Sequence, residues 1–291
     1  RYDESGQCVE RPGENPAQIS RIRIRSYPSQ EYAGLVFAYL GEGDPPPFPR
    51  HPELEQKGLL TARSYVRHCN YFNNIENGVD EVHVAFVHAN SNFTKYGLNR
   101  DVPEVTAEET DYGLVQYGKR ADNKLRVTHF LMPNILYIKG SPDEDTLGTW
   151  RDAFSWRVPI DDFSHHSFNA QLTHVEGEVA EKILQKEKKR REQASSSLSA
   201  TVLADEILAG RMRVQDLDPN ERQDIVNIQD NVVQRGQGVI PDRSFENLGR
   251  LDRAIVLLRD IWRRDLRALE DGRAPKAWMR PERLKATSGI D

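Results

Sequence analysis

Asn70-Tyr-Phe-Asn-Asn-Ile-Glu-Asn-Gly-Val-Asp-Glu-Val-His-Val-Ala-Phe-Val-His88 is the stretch on which the reading of this chain turns. Its apolar residues Phe72, Ile75, Val79, Val82 and Phe86 recur three or four apart, the spacing of an amphipathic helix that faces a core. Between them lie Asn, Glu, Asp and His in unusual density. His83 and His88 are five apart, and at about 100° per residue such a pair falls roughly 140° apart around a helix axis. Both reach one ion only if the helix is distorted or ends between them. With Gly78 upstream, a bulge or helix end is expected near Ala85. Asp80 precedes His83 by three residues, on the same face, where a carboxylate can orient an imidazole. The bland reading of the same residues is that the histidines are satisfied core or capping groups. The sharper one is metal binding. Two imidazoles and one carboxylate with open positions form the ligand set of non-haem ferrous sites, so that reading requires a third, acidic ligand elsewhere in the chain.

Downstream, residues 112–120, 125–132, 135–139, 150–158 and 167–174 read as five short strands separated by turn chemistry, which argues for one antiparallel sheet. Residues 176–193 are rich in Glu, Lys and Arg and read as a solvated helix; the serine run at 195–199 follows as a loop. A long helix is expected over 248–269, with apolar residues at 251, 255, 258, 262, 266 and 269, lying across the sheet. Upstream, residues 3–6 read as a turn between strands, and residues 19–24 and 35–40 as two strand runs. Prolines at 45, 46, 47, 49 and 52 exclude helix or interior strand there and mark a connector between domains. The fold class is therefore α+β, helices packed on an antiparallel sheet, preceded by part of a smaller β unit.

The 291 residues carry 40 basic and 45 acidic side chains, a formal charge of −5, so the chain offers no general footprint for nucleic acid. With 37% hydrophobic and 29% charged residues it has the composition of a globular protein, and no apolar run is long enough to span a membrane. Cys8 and Cys69 form no Cys-x-x-Cys pair and cannot build a disulfide framework, which fits a reducing, cytoplasmic setting. His165 and His166 are adjacent on a strand and point to opposite faces, which argues against a second metal pair. His51, His68, His129 and His174 are read as structural, with His129 a candidate to touch a bound substrate. Trp150, Trp156 and Trp262 are read as core.

Asp80-x-x-His83-x-x-x-x-His88, entered through Asn70-Tyr-Phe-x-Asn-x-Glu-Asn77, resembles the iron-binding helix of the large subunits of Rieske non-haem iron aromatic-ring oxygenases, in the branch of phthalate dioxygenase and the aryl O-demethylases. Other landmarks are similar to the same family: Gly6-Gln-Cys-Val9, Ile24-Arg-Ser-Tyr-Pro28 and Glu31-Tyr-Ala-Gly-Leu-Val-Phe-Ala-Tyr-Leu-Gly41 to the last strands of its Rieske domain, residues 45–49 to its proline-rich bridge, and Trp156-Arg-Val-Pro-Ile-Asp-Asp162 to a strand end of its catalytic sheet. The last is Asn227-Ile-Gln-Asp230, followed by residues 231–249. In the resembling branch the aspartate of this Gln-Asp pair is the carboxylate ligand, which assigns Asp230, with Asp224 as runner-up. The residues alone leave the choice among carboxylates open, Asp161 and Asp162 included.

What the resemblance implies is a helix-grip-like catalytic domain over 45–291, preceded over 1–44 by the remnant of a Rieske [2Fe–2S] domain. It implies mononuclear Fe(II) on His83, His88 and Asp230 and dioxygen activated beside an aromatic substrate, which is hydroxylated or O-demethylated. Electrons come from a ferredoxin or reductase, and Asp80 acts as a bridge between subunits of a homotrimer. The family holds its cluster with two Cys-and-His pairs, and this chain has none: Cys8 precedes Val9 and Cys69 follows His68. The expectation is that those ligands precede Arg1. O-demethylation of a methoxylated aromatic acid is the reaction the branch favours, with Arg100, Arg151 and Arg211 as unranked candidates for a substrate carboxylate. Two readings from other classes stand beside it: a non-catalytic module with an apolar small-molecule pocket, and a zinc hydrolase using the same histidines.

Overall fold

The structure is a computed structural model that describes residues 1–91, 93, 94, 97, 101–121, 123–140, 149–194, 198–222 and 224–288. The chain forms two compact units, Arg1–Arg50 and His51–Asp291.

In the first unit Tyr2 and Cys8 bridge across the turn at residues 3–6, where Asp3 Oδ1 accepts the N–H groups of Ser5 and Gln7. Gly6 has φ +80°, and a Cβ there would lie 2.2 Å from the Ile24 carbonyl oxygen, so only glycine fits. Residues 19–24 are not the strand their isoleucines suggested. Helix α1 (Pro16–Ile19) occupies the start, and one isolated bridge, Gln7 to Arg23, is all the pairing that follows. The hairpin is instead β1 (Ser29–Tyr32) and β2 (Leu35–Ala38), joined by Ala33 and Gly34, both at positive φ. That two-residue turn matches the twist of the strands it joins.

The second unit runs β3 (Leu59–Arg67), α2 (Tyr71–Gly78), α3 (His83–Phe86), β4 (Glu104–Glu109), β5 (Gly113–Lys119), β6 (Leu125–Leu131), β7 (Ile135–Gly140), β8 (Arg151–Asp161) and β9 (Ser164–Thr173). It continues with α4 (Gly177–Ala194), α5 (Ala200–Leu208), α6 (Ile225–Gly236), α7 (Arg253–Glu270) and β10 (Thr287–Ser288). One antiparallel sheet has the order β3-β9-β8-β7-β6-β5-β4, with β10 added to β6. Strands β4 to β9 are thus a meander, and β3 returns to pair with the last of them. This is the α+β architecture expected, a large antiparallel sheet flanked by helices. Among the described residues no helix is long and apolar enough to cross a membrane.

Register divides the helix-facing side of the sheet into two halves. Leu114, Phe130 and Leu136 lie opposite one another on β5, β6 and β7. Ile75 and Val79 near α2, with Ala254, Leu258 and Ile261 of α7, close over them. The α7 residues stand at i, i+4 and i+7, so one stripe of that helix enters the core. Fully burying each large apolar side chain contributes about 1.5–3 kcal/mol. The same face continues onto β8, β9 and β3 through Leu136 opposite Ser155 and Ser155 opposite Asn169. There it turns polar, presenting Arg157, Ser167, His165, Tyr65 and Arg67. The opposite face of the sheet carries an aromatic ladder, His129 stacked on Tyr137 and Tyr137 on Phe154 at 4.3 Å between ring centres.

Candidate metal centre

The helix expected over residues 70–88 is two pieces. Asn70 caps the first by accepting the Phe72 N–H, and α2 ends at Gly78. A Cβ on Gly78 would come to 3.0 Å from the Leu136 side chain, so the small residue lets the helix end approach the sheet closely. Asp80 then restarts the chain: its Oδ1 accepts the N–H groups of Val82 at 3.0 Å and His83 at 3.2 Å, the cap of the one-turn helix α3. Because α3 ends at Phe86, His88 lies beyond it and escapes the roughly 140° separation that a continuous helix would impose.

The third member arrives on α6. His83 Nε2 and His88 Nε2 face Asp230 Oδ1 at 3.9 Å and 3.3 Å. One nitrogen from each histidine and one carboxylate oxygen all lie within 4.8 Å of one another, the one such group found among the described residues. Asp224, the runner-up, is the N-cap residue of α6 and pairs with Arg222 at 2.7 Å, outside the cluster.

Hydrogen bonding fixes which ring nitrogens turn inward. His83 Nδ1 contacts the Asp80 carbonyl oxygen, which can only accept, so Nδ1 carries the proton. His88 Nδ1 lies 2.8 Å from Gln229 Oε1, and Gln229 is itself oriented by donating Nε2–H to the Asn90 carbonyl at 2.8 Å. In the neutral rings both Nε2 atoms therefore present lone pairs to a carboxylate oxygen that is buried and has no hydrogen-bond partner. Three acceptors facing one another repel unless a cation or shared protons sit between them. Burial alone would raise the Asp230 pKa, but His88, His83 and Arg67 outweigh it and hold the carboxyl below its ordinary range. Burial alone would lower that of His88; the Asp230 carboxylate and the Gln229 amide oxygen raise it instead. The donor set, two nitrogens and one oxygen on one side, fits a divalent ion with open coordination positions.

Around the cluster the chain is polar and buried. Arg67 donates to Gln234 Oε1 at 2.6 Å and to Asn227 Oδ1, both on α6. Asn74 accepts from Arg157 Nε at 3.0 Å and holds Ser167 and His165. Glu81, next to Asp80, turns the other way, into Arg126 at 3.1 Å and Arg120 at 3.4 Å. Asp80 and His83 also lie on the wall of an open groove of about 500 Å³, with Phe86, Asn247, Arg250 and Asp252.

Of these expectations, the one for His129 changes. His129 does not face the helices: it lies on the other side of the sheet, bonded to Tyr112 and the Lys285 carbonyl, and makes no substrate wall there. His165 is fully buried between Cys69 O and Asn74, while His166 packs on Phe168. His174 pairs with Asp152, and His51 packs on Phe154 and Trp156. Trp262 packs on Tyr71 and Phe72. Arg211 pairs with Glu206 on the surface, and Arg100 lies outside the described residues. Gln229 and Arg157 were missed. Gln229 adjoins Asp230 in sequence, and strand alternation places Arg157 on the face of Ser155 and Ala153, so both left a readable signal.

No protein-family model matches the chain. The fold is that of known terminal oxygenases. It superposes on the terminal oxygenase of carbazole 1,9a-dioxygenase from Nocardioides aromaticivorans IC177 with a TM-score of 0.57 at 18% identity, covering 95% of this chain and 76% of that one. The corresponding enzyme from Novosphingobium sp. KA1 gives a TM-score of 0.53 at 20% identity over 84% of this chain and 68% of that one. By sequence the chain is 28% identical, over 96% of its length and 62% of the relative's, to the 5,5'-dehydrodivanillate O-demethylase oxygenase subunit of Sphingobium sp.. It is 26% identical to the phenoxybenzoate dioxygenase subunit alpha of Ectopseudomonas oleovorans, over 93% of this chain and 64% of that one. The chain is thus a relative of the α subunits of Rieske-type aromatic oxygenases, an O-demethylase among them, and spans about three-fifths of the length of these two.

Proposed function

We propose that this chain is the mononuclear-iron catalytic part of a Rieske-type oxygenase that hydroxylates or O-demethylates an aromatic substrate. In this reading His83, His88 and Asp230 hold ferrous iron, and electrons arrive from a ferredoxin or reductase through a Rieske cluster. The observation that carries it is the meeting of two inward-turned Nε2 atoms and an unpartnered carboxylate oxygen, brought together from α3, its C-terminal end and α6. Bound ferrous iron would supply the activation of dioxygen, chemistry for which no side chain here is competent. The chain's own residues do the rest. The Asp80 carbonyl and Gln229 hold the imidazoles in the tautomer that keeps Nε2 inward, and the apolar contacts of α2 and α7 with the sheet keep water from that side.

The compact unit ending at Arg50 corresponds in this reading to the last strands of the Rieske domain, assigned to residues 1–44, and residues 45–291 to the catalytic domain. Asp80 Oδ1 is taken by the Val82 and His83 amides, so Oδ2 is the oxygen we assign to a contact with a histidine of a neighbouring subunit in a homotrimer. The position of Asp80 and His83 on an open groove supports electron entry there. We place the protein in the cytoplasm, where Cys8 and Cys69 remain free thiols.

The test is turnover by the subunit with its cluster domain restored, supplied with a ferredoxin and reductase and offered 3- and 4-methoxybenzoate. Dioxygen uptake matched by formaldehyde or by a hydroxylated ring, and abolished in His83→Ala, is the expected result. Uptake and product formation undiminished in His83→Ala contradict the assignment.

A further inference from the structure

Burying a guanidinium without a carboxylate partner is costly, and this fold does it twice beside the metal cluster. Arg67 is 1% exposed and Arg157 is 8% exposed. Arg67 satisfies its two terminal nitrogens on neutral amides of α6 and leaves Nε without a partner. Arg157 is different. Its recorded hydrogen bond is from Nε to Asn74 Oδ1, and Nη1 is buried without any partner. No carboxylate among the described residues forms an ion pair with either guanidinium, although the nearby Arg126, Arg120, Arg243 and Arg259 all have theirs. Asp230 is the acidic side chain whose charge reaches Arg157, and a metal ion on Asp230 would claim that charge.

Tyr65 stands on the same face of the sheet as Arg157, across β9 from it, with its ring 4.9 Å from the Arg67 guanidinium. Strand register sets this arrangement: Ser167 on β9 is opposite Tyr65 on β3 and opposite Arg157 on β8. Burial alone would raise the Tyr65 pKa, but the charges of Arg67 and Arg157 bring it below its ordinary value. A positive, desolvated corner made of a forked donor and a phenol is therefore built into the polar half of the helix-facing surface, on the side of the sheet where the metal ligands sit.

We propose that Arg157, with Tyr65, is the anion-recognition point of the substrate cavity and that the substrate is an aromatic carboxylate. The proposal rests on the oxygenase reading for the word substrate, but the anion site stands on the geometry of Arg157 and Tyr65. A planar guanidinium with unpartnered terminal N–H groups matches a carboxylate in a two-point fork, and the Tyr65 hydroxyl adds a third donor. Anchored there, the ring carries its reacting substituent toward the cluster.

The test is binding, so that it does not depend on turnover. The purified chain, with and without anaerobically added ferrous iron, is titrated calorimetrically with 3- and 4-methoxybenzoate and with the matching methoxybenzamides, which keep shape and lose charge. The acids are expected to bind at least about tenfold more tightly than the amides, the worth of one hydrogen-bonded charge. Arg157→Gln should erase that preference, and Tyr65→Phe should weaken acid binding about three- to tenfold. If Arg157→Gln fails to give a cooperative melt, the parent's acid-to-amide ratio and Tyr65→Phe decide. Equal affinity for acid and amide, absence of acid binding, or an acid preference that survives Arg157→Gln overturns the proposal. Acid preference without iron binding strikes the ferrous reading alone, and iron binding without acid preference strikes this inference alone.

Discussion

Replacing His165 by asparagine is the perturbation whose size is best defined by the structure. The ring is completely buried, with Nδ1 on the Cys69 carbonyl and Nε2 facing Asn74, and desolvation, aided by the charges of Arg67 and Arg157, pushes its pKa down from 6.5 to about 4 against the pull of the Cys69 carbonyl. The unfolded chain binds a proton at this histidine below about pH 6.5, whereas the folded chain does not until about pH 4. Folding stability from this group is therefore full above the unfolded value and is lost as pH falls from 6.5 toward 4. Linkage gives a loss of about 2 kcal/mol between pH 7.5 and pH 5, and about 3.4 kcal/mol once the folded pKa has been passed. The assay is reversible urea unfolding of the parent and His165→Asn at pH 7.5, 6.5, 5.5 and 5.0. Asparagine cannot titrate, so the stability advantage of the parent should shrink by about 2 kcal/mol between pH 7.5 and 5. Taking the difference cancels the other titrating groups. Equal pH slopes for the two proteins would refute the buried, neutral state of His165.

His51, buried against Phe154 and Trp156 with its pKa also lowered to about 4 by desolvation, predicts the same sign and size for His51→Gln in the same measurement. Gln229→Leu removes the acceptor that orients His88 and should weaken metal binding about 10- to 100-fold in a chelator competition while leaving the melting temperature within a few degrees. Gly118→Ala should destabilise by about 1–3 kcal/mol in urea unfolding, because its Cβ would fall 2.8 Å from the buried Glu81 side chain held by Arg120 and Arg126. Leu258→Ala, in the α7 stripe under the sheet, should cost about 2–5 kcal/mol in the same assay.

The central strands could be read from sequence because two-residue alternation and turn residues bound them, and β5 to β9 lie within a few residues of the expected segments. The sheet edges could not. Strand β4 reads Glu-Val-Thr-Ala-Glu-Glu, with Val105 its one buried side chain, and β3 alternates weakly through Arg63, Ser64 and Arg67. An edge strand has one neighbour and little apolar demand, so composition says little about it. The break near Asp80 was hidden for a different reason. Apolar spacing continues across it, and the interruption is made by a side-chain cap on Val82 and His83 that hydrophobic periodicity does not register. Within the site, the two histidines were visible by type and spacing. Asp230 rested on the family resemblance alone, since α6 lies about 140 residues downstream of His88 and only the fold brings them together.

The most direct test of the account is metal content. The chain is reconstituted anaerobically with ferrous iron, desalted and assayed, beside His83→Ala, Asp230→Ala and Asp224→Asn. The account predicts about one iron per chain in the parent and in Asp224→Asn, and little in the other two. Iron retained in Asp230→Ala, or lost in Asp224→Asn with the fold intact, would contradict the ligand set on which the proposed function stands.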